Sequence, residues 1–336
     1  MKPNRKGTTR HASGSRTRNR NASNERPVQI DELTGLPADF APLLGECYET
    51  ADVERVVAGS SVARPVTLRA NTLKADAGSV AESLAAAGIA FERASWYGDA
   101  FVLQGASERD VWDLPCYRDG EVYLQSLSSM LPALVLDAQA GEDVLDMCAA
   151  PGGKTSQIAA LAQGRAHVTA CEMHAPRAEK LAYNLDKLGV TGATVMRTDA
   201  RQLDDFFSFD RILVDAPCSG SGTLRAHDPK GARHFSRELV EKSRKSQRAL
   251  LAKALRLLKA GGTLVYSTCS VLKCENEDIV AEALAQASRA GTFEVADCSV
   301  DGLDAPFLPP TLEGTLTVCP SDLFEGFFIA KIRRTA

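Results

Sequence analysis

The sequence predicts an α/β protein, a doubly wound and mainly parallel sheet preceded by a small α+β module. Three observations carry that prediction. From Gly141 onward, apolar strand patterns alternate with helical ones. Several of those strands run into turns bearing acids, prolines and glycines, as strands do when their carboxyl ends face a ligand crevice. The 336 residues are 44% hydrophobic and 24% charged, which suits one large or two medium globular domains and excludes a disordered, collagenous or fibrous chain. No run approaches the roughly 18 to 20 apolar residues of a membrane span, and no apolar stretch follows the charged N-terminus. A cytoplasmic location without membrane attachment is therefore expected.

Residues 1–28 read as a disordered basic arm. Lys2, Arg5, Lys6, Arg10, Arg16, Arg18, Arg20 and Arg26 stand against Glu25 alone, a local +7 within a chain of net charge −4. Such an arm suits electrostatic contact with phosphates as well as it suits a solubilising tail. Residues 30–59 read as mostly helical. A strand is predicted over Pro65–Asn71, a turn at Lys74–Gly78, a small-residue helix over Val80–Ala87, and strands near Ile89–Arg93 and Ala100–Leu103. This β-α-β-β order resembles RNA-contacting sheets, although the aromatic residues of a true RNA-recognition motif are missing.

Strands of the larger sheet are predicted at Asp143–Met147, His167–Glu172, Ala193–Arg197, Arg211–Asp215 and Thr263–Thr268. Before the last of these, Leu239, Val240, Leu250, Leu251, Ala254, Leu255 and Leu258 keep helical spacing. Ser236 is the expected N-cap of that helix and Gly261 lies just past its expected end. The nine cysteines are odd in number and include no CxxC pair, which reads as free thiols in a reducing compartment. The five histidines form neither HExxH nor a zinc-closing spacing with cysteine, so no metal is expected.

The first strand runs into Cys148-Ala149-Ala150-Pro151-Gly152-Gly153-Lys154, a small-residue turn that opens a helix. It is not the dinucleotide fingerprint, and it misses a P-loop because Cys148 stands where the first glycine must be. Glu172, about 20 residues on, suits ribose hydroxyls, and Asp199 suits an adenine amino group further along the crevice. Each acid alone would read as an ordinary helix cap or solvated carboxylate. Asp146, Glu172 and Asp199 at successive strand ends instead suggest a ribose-bearing cofactor without a phosphate cradle, S-adenosyl-L-methionine.

Asp215 and Cys218 end the fourth strand in Val-Asp-Ala-Pro-Cys-Ser-Gly-Ser-Gly, and Cys269 follows the fifth in Tyr-Ser-Thr-Cys-Ser. A lone cysteine is usually a small buried hydrophobe, but two on polar turns over one crevice read as reactive thiols. Carbon 5 of a pyrimidine is a poor nucleophile until a thiolate adds at carbon 6 and makes the ring an enamine that attacks an electrophilic methyl group. A strand-end carboxylate such as Asp215 can assist at N3 and the exocyclic amine. Chemistry alone leaves either thiol as the nucleophile.

These segments, with Cys274-Glu-Asn-Glu277 and the late Glu325-Gly-Phe-Phe-Ile-Ala-Lys331, resemble the RNA cytosine-5 methyltransferases of the Nop/Sun (RsmB/RsmF-like) family from about Pro65 to Arg334. The resemblance implies a Rossmann-like S-adenosylmethionine methyltransferase domain over 141–336. It also implies a helical and α+β, RNA-recognition-motif-like region over 29–140 that contacts RNA. Cofactor contacts would come from Cys148, Ala149, Ala150, Pro151, Gly152, Gly153, Lys154, Glu172, Asp199 and Asp215. Cys269 would be the nucleophile and Cys218 the aid to adduct breakdown, with Asp215 and Lys154 completing the catalytic set. Ribosomal RNA is favoured as substrate by the Arg225–Phe235 segment, and a monomer is expected. The alternatives are the same reaction on transfer RNA, or a non-catalytic RNA-binding factor in ribosome assembly. Two departures from the family pattern are Glu325, where aspartate is more usual, and Cys274, where an acid is often found. The chain also reads as lacking the extra N-terminal helical domain of one bacterial subgroup and the appended RNA-binding domain of another.

Overall fold

A computed structural model describes Met1, residues 29–287 and residues 291–336. Apart from Met1, the predicted basic arm lies outside the described residues.

Thirteen strands occur among the described residues, in two sheets. The smaller sheet is antiparallel, with strands β1 (Thr67–Ala70), β2 (Ala90–Arg93), β3 (Ala100–Gln104) and β4 (Val122–Leu124) in the order β2-β3-β1-β4. The Ala77–Ala86 helix covers one face. Its N-cap is Asp76, which accepts from the Ser79 amide at 2.9 Å, and its Val80 and Leu84 pack with Leu68, Phe101 and Leu103. The sequence pattern predicts the first three strands; β4 is too short to show a period.

The larger sheet contains β5 (Asp143–Asp146), β6 (His167–Cys171), β7 (Ala193–Met196), β8 (Phe209–Asp215), β9 (Leu258–Thr268), β10 (Phe293–Ala296), β11 (Phe307–Leu308), β12 (Leu316–Val318) and β13 (Phe327–Arg334). Its order is β11-β12-β13-β9-β8-β5-β6-β7, with β10 against β13. The run β9-β8-β5-β6-β7 is parallel, and β10 to β13 are antiparallel additions beyond β9. Strand alternation divides the apolar residues between two cores. Ile212, Val214, Leu264 and Tyr266 face the Arg237–Leu257 and Glu277–Ala287 helices, while Leu213, Val265 and Ile329 face the Leu127–Leu136 and Gly153–Leu161 helices.

The long helix begins at the predicted cap, Ser236, whose hydroxyl accepts from the Leu239 amide at 3.2 Å. Its end differs from the prediction. It stops at Leu257, β9 starts at Leu258, and Gly261 lies within the strand at φ +78° beside a register shift between Phe209 and Arg211. Gly261 therefore serves a strand irregularity and not a helix stop.

Of the region before β1, the Phe40–Gly45 and Thr50–Ser60 helices pack on the larger domain. Phe40 meets Phe235 edge to face at 5.6 Å, and Leu44 and Val56 join a core with Leu224, Val271 and Leu272. The small sheet is joined to the larger domain through Arg69, which is fully buried. Among the described residues its hydrogen-bond partners are all neutral: Gln125 Oε1 at 3.0 Å, Ser156 Oγ at 2.6 Å, and the carbonyl oxygens of Gly153 and Ala70. Asn71 adds bonds from its amide nitrogen to the carbonyls of Gly120 and Leu188, both at 2.8 Å.

Candidate active site

The carboxyl ends of β5, β8 and β9 open into a cleft of about 660 Å3, closed on its other side by β4 and by the segment leading into β13. Tyr123 and Gln125 from the small sheet, and Glu325 and Phe327 near the C-terminus, share its lining with Lys154 and Cys269. Sequence spacing had pointed to only one wall of this cleft.

At the end of β5, Asp146 is 1% exposed. Its Oδ2 accepts the Thr155 hydroxyl at 2.7 Å and its Oδ1 accepts the Cys148 amide at 3.3 Å. Burial pushes its pKa up to about 6, even though the Thr155 bond favours the charged form. The turn that follows needs Gly152, whose φ of +109° a side chain would strain. It also needs Gly153, where a Cβ would come within 2.8 Å of the Tyr123 ring. Burial, and then the charges of Asp146, Asp215 and Glu172, push the Cys148 thiol far up, so it stays protonated.

Lys154 spans the cleft floor. Its Nζ lies 2.8 Å from Asp215 Oδ2, donates to Ser129 Oγ at 2.8 Å and sits 5.2 Å from the centre of the Phe327 ring. Burial alone would lower its pKa, but the charge of Asp215 and their hydrogen bond reverse this and hold the ammonium above the usual lysine range. The Ser267 hydroxyl donates to the other oxygen of Asp215 at 2.8 Å, which leaves the carboxylate oriented by two neighbours.

The two predicted thiols meet: Cys218 Sγ and Cys269 Sγ are 3.1 Å apart, and both cysteines are free. Their hydrogen bond, followed by burial, pushes the Cys218 thiol far up. The turns that carry them are clamped by the segment before β13. The Gly222 amide donates to the Cys269 carbonyl at 3.0 Å, and the Gly326 amide to the Gly222 carbonyl at 2.8 Å. A Cβ on Gly222 would lie 2.0 Å from the Gly326 oxygen, so only glycine permits this approach.

Glu172 and Asp199 lie outside the lining of this cleft, along the β6–β7 side. Glu172 is 5% exposed, accepts the His174 amide at 2.8 Å and pairs with Arg177 at 3.1 Å. Asp199 has the local role that a strand-end acid takes by default. It accepts the Arg201 amide at 3.0 Å at the head of a short 3-10 turn, and both its oxygens bind the Arg201 guanidinium, which lowers its pKa.

Sequence reasoning missed Arg69, Gln125, Glu275 and Asn276. The Cys274-Glu-Asn-Glu277 segment enters the sequence reading only as part of the family resemblance, with no role assigned to it, yet Glu275 and Asn276 are fully buried between the two cysteine turns. The available signal was the run of three polar residues, Glu275 to Glu277, within a segment that carries the family resemblance.

Residues 133–333 match the family described as 16S rRNA methyltransferase RsmB/F, and residues 44–110 match the ferredoxin-like domain of RsmF/B-like methyltransferases. The chain is 35% identical over 276 residues to ribosomal RNA small subunit methyltransferase F of Shewanella amazonensis, covering 81% of this chain and 58% of that protein. It is 34% identical over 300 residues to a mouse 28S rRNA (cytosine-C(5))-methyltransferase, covering 87% of this chain and 38% of the relative. It is 35% identical over 318 residues to the probable ribosomal RNA small subunit methyltransferase B of Bacillus subtilis, covering 92% and 69%. The chain thus spans well under two thirds of the first two relatives. A crystal structure of a methyltransferase homologue from Pyrococcus horikoshii superposes with a TM-score of 0.72 at 30% identity, covering 89% of this chain and all of that one.

Proposed function

This chain belongs to the 16S rRNA methyltransferase RsmB/F family, and from that premise we propose that it is an S-adenosylmethionine-dependent RNA cytosine-5 methyltransferase acting on ribosomal RNA. The observation that carries the reading is that Cys269 lines the same cleft as the Lys154–Asp215 ion pair while its sulfur lies 3.1 Å from that of Cys218 behind it. The names of the relatives support ribosomal RNA, and one specifies carbon 5 of cytosine.

The residues around the Cys148–Gly153 turn suit this cofactor. Asp146 and Asp215 line that end of the cleft, and its one ammonium, Lys154, is already neutralised by Asp215. These carboxylates suit a sulfonium, and the nearest further cation, the Arg177 guanidinium, is taken up by the Ala150 carbonyl at 3.0 Å and by Glu172. Cys148 to Lys154 would hold the cofactor, with Glu172 at the ribose and Asp199 beyond it. When bound, the cofactor supplies an electrophilic methyl group.

The protein's own part is as follows. Cys269, as thiolate, adds to carbon 6 of a cytosine that has left its stack, forming an S–C bond and making carbon 5 nucleophilic. Asp215, held by Lys154 and Ser267, accepts a hydrogen bond from the exocyclic amine and orients the ring. After carbon 5 has gained the methyl group, its proton leaves to a base, the ring double bond reforms and the S–C bond breaks. Cys218 keeps its proton under its raised pKa and donates a hydrogen bond to the departing Cys269 sulfur.

The test combines label transfer with adduct trapping. Incubation with labelled S-adenosylmethionine and ribosomal RNA should yield 5-methylcytidine. Cys218→Ala should accumulate a protein–RNA adduct that survives a denaturing gel, and Cys269→Ala should form none. Adduct with Cys269→Ala would overturn the assignment of the nucleophile. Label absent from ribosomal RNA but present in transfer RNA would overturn the substrate, and label in neither would favour a non-catalytic assembly factor.

A further inference from the structure

Glu275 lies outside the set of residues described as reacting, yet each oxygen of its carboxylate reaches both cysteine turns or the helix behind them. Oε1 accepts the Ser219 amide at 2.9 Å and the Gln247 side-chain amide at 3.2 Å, while Oε2 accepts the hydroxyls of Ser219 and Ser270. Ser219 directly follows Cys218, and Ser270 directly follows Cys269. The far sides of the cysteines are held as well. The Gln247 amide also donates to the Pro217 carbonyl at 3.0 Å, and the Thr268 hydroxyl donates to Asn276 Oδ1 at 2.6 Å. Asn276 in turn donates to the Ser270 carbonyl at 2.9 Å. Each cysteine is therefore braced on both flanks by a network in which Glu275 is the shared acceptor. Glu275 is fully buried, so no solvent replaces these bonds when one is lost.

From this arrangement we infer that Glu275 is a positioning residue that sets the distance between the two reactive thiols, without itself touching substrate or cofactor. Burial is costly for a carboxylate and raises the pKa of Glu275, and the four donors around it offset that cost only while both turns stay in register. Its neighbour Glu277 is also buried, but among the described residues neither of its side-chain oxygens bonds to a cysteine turn, so burial alone does not explain the network at Glu275. The catalytic meaning of the spacing rests on the methyltransferase reading given above; the spacing itself does not.

The spacing can be read without RNA or cofactor. Diamide, a diazene oxidant, takes two electrons and two protons from a pair of neighbouring thiols, leaving a disulfide and the corresponding hydrazine. The rate of the Cys218–Cys269 disulfide, mapped by peptide mass spectrometry, reports how often the two sulfurs meet. In Glu275→Ala that rate should fall by about ten- to a hundredfold, the loss expected when buried charge-assisted bonds no longer order a pair. Glu275→Gln keeps an acceptor at Oε1, and its amide can donate to hydroxyls free to turn, so it should stay within about threefold of the parent chain. Ser219→Ala and Ser270→Ala, which each remove one arm, give the same test if Glu275→Ala fails to fold, and each should slow the disulfide. Parent-like disulfide rates in a folded Glu275→Ala, or in both serine variants, would overturn the inference. A chain that forms the disulfide as expected but never methylates RNA would overturn the functional reading and leave this one standing.

Discussion

Asp146→Asn should stabilise the folded chain near neutral pH and have little effect in acid. In the folded state burial lifts the Asp146 pKa from 3.8 to about 6, whereas an unfolded chain returns it to the ordinary value. Between those values the folded protein holds a proton that the unfolded one has lost, so its stability falls as the pH rises through that window and levels off above it. The gap corresponds to about 3 kcal/mol of strain at neutral pH, borne by a carboxylate that is 1% exposed. Asparagine carries no charge, keeps an acceptor for the Cys148 amide, and presents an NH2 group toward the Thr155 hydroxyl, which can turn to accept it. Urea unfolding of both chains at steps between about pH 4 and pH 8 gives the difference directly. The variant's advantage should be near zero at the acid end, grow across the window and reach about 2 to 3 kcal/mol above it. A difference independent of pH, or a parent chain more stable than the variant at pH 7, would refute the assignment of a burdened Asp146.

Arg69→Met should lower stability by about 2 kcal/mol, because Gln125 Oε1, Ser156 Oγ and the Gly153 carbonyl lose a buried donor. Limited proteolysis should then cut between the small sheet and the larger domain, and a proteolysis pattern like the parent's would show that Arg69 does not join them. Glu172→Ala should weaken S-adenosylhomocysteine binding, measured by calorimetry, by about tenfold or more, the cost of one charge-assisted hydrogen bond. Asp199→Ala should weaken it by less, since both Asp199 oxygens bind the Arg201 guanidinium, whereas Glu172 meets Arg177 through one oxygen only; the reverse order would mean that Arg201 gives way to the ligand.

The parallel part of the fold was legible because period and turn chemistry are local. The apolar runs of β5, β6, β8 and β9 and the cap at Ser236 act on neighbours a few residues away, and their patterns persist in the sequence whatever the rest of the chain does. The same locality explains why the cofactor turn and both cysteines could be singled out: each sits where a strand ends. The strands after Thr268 were not legible. β11 and β12 have two and three residues, too few for a period, and exist because β13 supplies an edge to pair with.

Tertiary structure alone decided how the pieces of the site meet. Cys218 and Cys269 are 51 residues apart, and their approach to 3.1 Å follows from the parallel pairing of β8 with β9 together with the bonds that Glu275 makes to both turns. The far wall of the cleft comes from β4 and from the start of β13, elements with no chemical signature of their own. Asp199 shows the opposite case. As a strand-end acid it looks like Glu172 in the sequence, and only the folded chain shows that both its oxygens bind Arg201, whereas Glu172 meets Arg177 through one. A sequence names which groups can react and which strands will carry them. Which of them touch is set by long-range pairing and by what remains unpaired once the interior has closed.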